Sequence, residues 1–152
     1  MRYGAHRVAL SHQRNNGDDD FDYLRQSDSI FLDNSLQYSD FNSPKERSWM
    51  LRYDLDMADF GIPGLSFMAR YALGRDADYS NANSTYMRRD DAGNPLTDQK
   101  RWERNIEVKY VFLDGSLKDL SVRVRQMNTR ATAYESDLDE VRVIVEYPLQ
   151  VL

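Results

Sequence analysis

Leu120-Ser121-Val122-Arg123-Val124-Arg125-Gln126 puts Leu120, Val122 and Val124 on one side of an extended chain and Ser121, Arg123 and Arg125 on the other. Strict alternation of this kind is the signature of a β-strand with one apolar and one polar face. The pattern recurs in both directions from it. Val141, Val143, Val145 and Tyr147 oppose Arg142, Ile144 and Glu146; Ile106, Val108, Tyr110 and Phe112 oppose Asn105, Glu107, Lys109 and Val111. Leu65, Phe67, Ala69, Tyr71 and Leu73 oppose Ser66, Met68, Arg70 and Ala72; Trp49, Leu51, Tyr53 and Leu55 oppose Met50, Arg52 and Asp54. A weaker case has Val8 and Leu10 against Arg7, Ala9 and Ser11. The reading is an all-β, antiparallel chain with strands near 5–13, 48–57, 65–73, 102–113, 119–127 and 140–151.

Composition narrows the function. The 152 residues are 41% hydrophobic and 30% charged, and no run approaches the roughly 18 apolar residues of a membrane-crossing helix. A net charge of −5 argues against a nucleic-acid partner, whose footprint is a basic excess. Without cysteine, thiolate metal sites, disulfides and cysteine nucleophiles are excluded. His6 and His12 have no visible third ligand, and Asp18-Asp19-Asp20 lacks the alternating spacing of a calcium loop. No catalytic constellation stands out, so the chain reads as a non-enzyme without cofactor or metal. Met1 to Arg7 carries no apolar segment of a secretory signal.

The connections fall into two kinds that alternate along the chain. Segments 14–47, 74–101 and 128–139 are long and rich in Asp, Asn, Ser and Gly, whereas 58–64 and 113–119 are short with turn chemistry. An outer-membrane barrel has long external loops and tight periplasmic turns. Trp49 and Trp102 each open a strand just after a long loop, where an interfacial aromatic girdle belongs. The alternative is a soluble antiparallel β-sheet binding module whose apolar face is an ordinary core. The two part on whether Leu120, Val122, Val124, Val143 and Val145 are covered or form an exposed band.

Several blocks carry a resemblance. Tyr38-Ser39-Asp40-Phe41, Glu46-Arg47-Ser48-Trp49, Gly61-Ile62-Pro63-Gly64-Leu65-Ser66-Phe67, Trp102-Glu103-Arg104, Lys118 to Gln126 and Glu140 to Leu149 resemble, in order, signature blocks of the OprD family of outer-membrane porins. The resemblance implies a transmembrane up-and-down β-barrel of about 18 strands, passive diffusion of small carboxylate-bearing solutes such as amino acids or organic acids, and a Gram-negative outer membrane. It covers only the C-terminal third of such a barrel. The implied partners are those solutes, outer-membrane lipid, the barrel-assembly machinery and the remainder of the barrel chain. About six strands cannot close without open edges in lipid, so the chain reads as part of a longer polypeptide. Family C-termini commonly end in Phe; Leu152 departs from that pattern and implies reduced recognition by the assembly machinery.

The polar face of the strands is basic at Arg7, Arg52, Arg70, Lys109, Arg123, Arg125 and Arg142. Guanidinium forks bind carboxylates, and a row of them offers successive weak sites to a passing anion. The resemblance implies a basic ladder along the channel wall, with Arg123, Arg125 and Arg142 selected by motif position. Arg70, Arg52 and Lys109 rest on strand parity alone. Each has an alternative as a lumen charge balanced by Asp54, Glu107 or Glu146. Arg123 and Arg125, two like charges on one wall, speak for an anionic visitor. The residues that would set specificity, constriction loops and the opposing wall, are expected outside this chain.

Overall fold

A computed structural model describes residues 1–21 and 32–148. They form one sheet of seven antiparallel strands in sequential order. The strands are β1 Arg2–Tyr3, β2 His6–Arg14, β3 Arg47–Asp56, β4 Leu65–Ala77, β5 Gln99–Val111, β6 Ser121–Ala131 and β7 Leu138–Glu146. β1 adds a seventh strand to the six expected from alternation. It is two residues long and turns through Gly4-Ala5, with Gly4 at φ 53°, which is too short to show a period. β4 continues past residue 73 to Ala77, because a bulge between Gly74 and Ala77, with Asp76 at φ 64°, breaks the alternation. The C-terminal residues Val151 and Leu152 lie outside the described residues.

Both short connections are single turns that reverse the chain. In the first, the Asp56 carboxylate accepts from Ala58 N–H at 2.9 Å and Gly61 ends the turn at φ 81°. In the second, a short helical turn at Gly115–Leu117 is closed by Asp119 N–H donating to the Phe112 carbonyl at 2.8 Å. The long connections all leave from the opposite end of the sheet.

The outward face carries Leu51, Tyr53, Phe67, Tyr71, Ile106, Val108, Tyr110, Val124, Val141, Val143 and Val145, all exposed. Val143 keeps 67% and Val145 62% of its surface, and no second sheet covers either among the described residues. Trp49, Leu73 and Trp102 stand side by side on β3, β4 and β5, at the long-loop end of this band. A soluble module would have to cover that band; here it is bare, as a lipid-facing surface requires.

The packed interior lies on the other face, and a connection supplies it. Residues 32–46 fold back across the long-loop half of the sheet, bringing Phe41 against Met50 and Ala72. A second cluster joins Tyr79, Ala82 and Leu96 from the β4–β5 connection to Ala77 and to Tyr134 of the β6–β7 connection.

Candidate functional site

The inner face divides into two zones along the strands. Toward the short turns it is a shared concavity lined by Arg7, Arg52, Arg70, Lys109, Arg123 and Arg125. Strand register sets cations directly opposite one another: Arg52 faces Arg70, Lys109 faces Arg123, and Arg125 faces Arg142. Like charges in such positions repel and destabilise unless neighbours neutralise them.

Neutralisation is uneven. Arg52 forks onto Asp54 at 2.7 to 3.0 Å. Arg125 Nε donates to Glu107 at 2.6 Å, and the same carboxylate lies 3.7 Å from Arg123. Arg123 also reaches Glu146 at 3.3 Å. Arg142 pairs with Glu140. Among the described residues the one hydrogen-bond partner of Arg70 is the neutral Asn105 Oδ1, at 2.7 Å. Lys109 and Arg7 have no hydrogen-bond or ion-pair partner among the described residues. The three residues chosen by motif position are therefore matched by carboxylates. Of those chosen by parity, Arg52 is matched while Arg70 and Lys109 form no ion pair among the described residues.

Toward the long loops the inner face sets small or neutral residues, Ser48, Ala72, Gly74, Asn105 and Thr129, all buried, around the buried charges of Arg101 and Glu103. Residues 34–46 fill that space as a strap. The buried Glu103 carboxylate accepts backbone N–H bonds from Gln37, Tyr38 and Ser39 at 2.9, 3.2 and 2.7 Å, and a fourth from Asn105 Nδ2 at 2.7 Å. Buried Arg101 donates to Glu46 at 2.7 and 3.0 Å and to Glu135 at 2.9 Å, with its guanidinium 4.8 Å over the Phe41 ring. Glu46 in turn accepts from Ser43 N–H at 3.0 Å. Asn34 bonds Ser48 Oγ at 2.8 Å, and Gln37 reaches Glu140 at 3.1 Å. These charges are buried but each is paired or hydrogen-bonded, which is the condition for tolerating them.

The neighbouring loops are tied to the strap. Tyr79 donates to Ser43 Oγ at 3.1 Å, and burial raises its phenol from 10.0 to about 12. Burial likewise pushes the Tyr134 phenol up. The Asp18–Asp20 run serves loop docking: Asp18 lies 2.7 Å from Lys45, and Asp19 accepts from Asn83 N–H and Nδ2 at 2.8 and 2.7 Å.

A bare apolar band, an aromatic row, a basic inner wall and an inward-folded strap together describe part of a channel barrel. The family model described as outer membrane porin, OprD family, matches residues 1–151. The chain belongs to the OprD family. It is 46% identical over 158 residues to Porin D of Pseudomonas aeruginosa strain PAO1, covering 97% of this chain and 35% of that protein. It is 29% identical to the porin-like protein GalP of Pseudomonas putida KT2440, covering 99% of this chain and 32% of that one. Among solved structures, Pseudomonas aeruginosa OprD superposes with a TM-score of 0.83 at 45% identity, over 97% of this chain and 40% of that chain. OccK9 (OpdG) of the same organism gives 0.80 at 39% identity, over 96% and 34%. The chain thus spans about a third of the length of the curated relatives it matches. These relatives are porins, not enzymes, and OprD-family porins reside in the outer membrane.

Within this OprD-family sheet, strand parity gives the inward side of Arg7, Arg52, Arg70, Lys109, Arg123, Arg125 and Arg142, but neither Arg2 and the buried Arg101 nor the strap. Residues 34–46 fall in a long connection by their composition, yet they fold onto the inner face. A signal was present. The inward positions near the long loops are small or uncharged at Ser48, Ala72, Gly74 and Asn105, which leaves room for a covering segment. Glu46 and Glu103 are the inward carboxylates that hold it.

Proposed function

We propose that this chain forms the C-terminal part of the wall of an OprD-family porin that admits small carboxylate-bearing solutes, amino acids or organic acids, by passive diffusion. β1 and β7 each have one hydrogen-bonded neighbour, and open edges are costly in hydrocarbon. The sheet is therefore completed by strands of the remainder of the barrel chain, inserted by the barrel-assembly machinery.

The observation that carries this reading is the excess of cation on the wall below the strap. Arg7, Arg70 and Lys109 have no carboxylate within ion-pair distance among the described residues. Arg123, Arg125 and Arg142 keep donors to spare beside their partners. A solute carboxylate exchanges its hydration for these donors one at a time. No single site holds it, because Arg52, Arg123, Arg125 and Arg142 are each shared with Asp54, Glu107, Glu140 or Glu146, and Arg7, Arg70 and Lys109 stand as separate single charges.

Liposome swelling with the complete porin tests it. Arg70→Gln with Lys109→Gln lowers uptake of anionic solutes relative to neutral ones of equal size by roughly two- to fivefold. Arg123→Gln with Arg125→Gln lowers the same ratio. An unchanged ratio in both pairs removes the ladder.

A further inference from the structure

A second group of cations stands on the opposite face of the sheet, where no solute passes. Arg14, Arg47 and Arg75 are direct register partners on β2, β3 and β4, all exposed and all outward. Three like charges in one cross-strand row repel. One carboxylate answers them: Asp76 takes the Arg47 Nε–H at 2.8 Å. Arg14 and Arg75 have no hydrogen-bond or ion-pair partner among the described residues.

The floor beneath the row is apolar and aromatic. Trp49 and Leu73 lie one step toward the membrane, and the His12 ring stacks on Trp49 at 4.3 Å. These residues and the three arginines line one concavity. An adjoining concavity continues the arrangement, with Arg75, Lys100 and Arg130 beside Trp102, whose ring stacks on Tyr71 at 5.8 Å. Cations over an aromatic shelf, at the border of a lipid-facing band, match an amphiphile with an anionic head and acyl chains below it. The long-loop end of an outer-membrane barrel faces the cell exterior, where the leaflet is a glycolipid bearing phosphate on its sugars.

We propose that the outward rim formed by Arg14, Arg47 and Arg75 binds a phosphate group of the outer-leaflet glycolipid, with Trp49 and Leu73 against its acyl chains. Guanidinium forks fit phosphate oxygens bidentately, and the arginine row, unfavourable alone, becomes a clamp once the anion is seated. This rests on the family's outer-membrane placement and not on the inner wall.

The test uses the complete porin in detergent, with purified lipopolysaccharide, the same lipid after enzymatic dephosphorylation, and phosphatidylcholine, read by native mass spectrometry. The wild-type protein binds the phosphorylated lipid about tenfold or more tightly than the dephosphorylated one. Arg14→Gln/Arg47→Gln/Arg75→Gln loses that preference and leaves the anionic-to-neutral uptake ratio unchanged. Arg70→Gln with Lys109→Gln does the reverse, so failure here and failure of the channel reading are distinct. No phosphate preference in the wild type, equal binding of phosphatidylcholine, or a preference kept by the triple variant overturns the proposal. Heat-modified gel mobility reports folding. Where the triple variant fails to fold, Arg75→Gln, which leaves Arg47–Asp76 intact, lowers the preference at least about threefold, and an unchanged preference overturns it.

Discussion

At the scale of single residues, the strap depends on Glu103. One buried carboxylate collects three consecutive backbone N–H groups, from Gln37 to Ser39, so its charge acts as an anion site for a turn of loop. Glu103→Gln keeps the shape but replaces one acceptor oxygen with a donor that faces N–H groups. We expect a loss of about 2 to 3 kcal/mol in strap docking. Proteolysis within residues 34–46 should quicken and neutral-solute uptake rise, while the barrel stays folded. A strap as protected as in the wild type would deny Glu103 this role.

At the scale of elements, β4 shows how a strand serves two neighbours. Its outward residues Phe67, Ala69 and Tyr71 face the band, while inward Ala72 and Gly74 give room to Phe41 and Glu46. A Cβ at position 74 would meet the Glu46 carboxylate and stand 2.8 Å from Phe41 Cδ1. Gly74→Ala is expected to displace the strap at a cost of about 1 to 3 kcal/mol without unpairing β4. Strap proteolysis should increase at unchanged strand content by circular dichroism.

The same element marks what was legible beforehand. Period-two alternation found β2 to β7 and most of the inward cations, because face selection is local and each strand states its own parity. The strap was not legible, since Glu103 binds residues 64 to 66 positions away and nothing in Gln37-Tyr38-Ser39 announces that partner. Nor could parity say which cations are matched. Arg125 meets Glu107 across a strand pair 18 residues apart, while Arg70 meets an amide instead.

At the scale of the whole molecule, the bare outward face carries the membrane reading. Val143 sits centrally in the band on β7, and no covering layer lies over it among the described residues. In vesicle-inserted porin, Val143→Arg should cost roughly 2 to 4 kcal/mol by reversible denaturant unfolding, as expected of a lipid-facing site near the midplane. A cost under about 0.5 kcal/mol would mean that this valine does not face hydrocarbon.

The border of that face is not level with the hydrogen-bonded rows. The innermost outward polar residue is Arg47 on β3 and Arg75 on β4, but Arg104 on β5 and Gln126 on β6, several register steps closer to the short turns. A membrane plane is flat, so the strands must lean across it. Residues paired across a strand boundary then lie at different depths, by on the order of 3 Å for a lean near 40°. Arg52 and Arg70, or Arg125 and Arg142, are neighbours in the sheet yet successive treads in depth. The lean spreads what would be a single belt of like charge over a series of depths, one cation below the next.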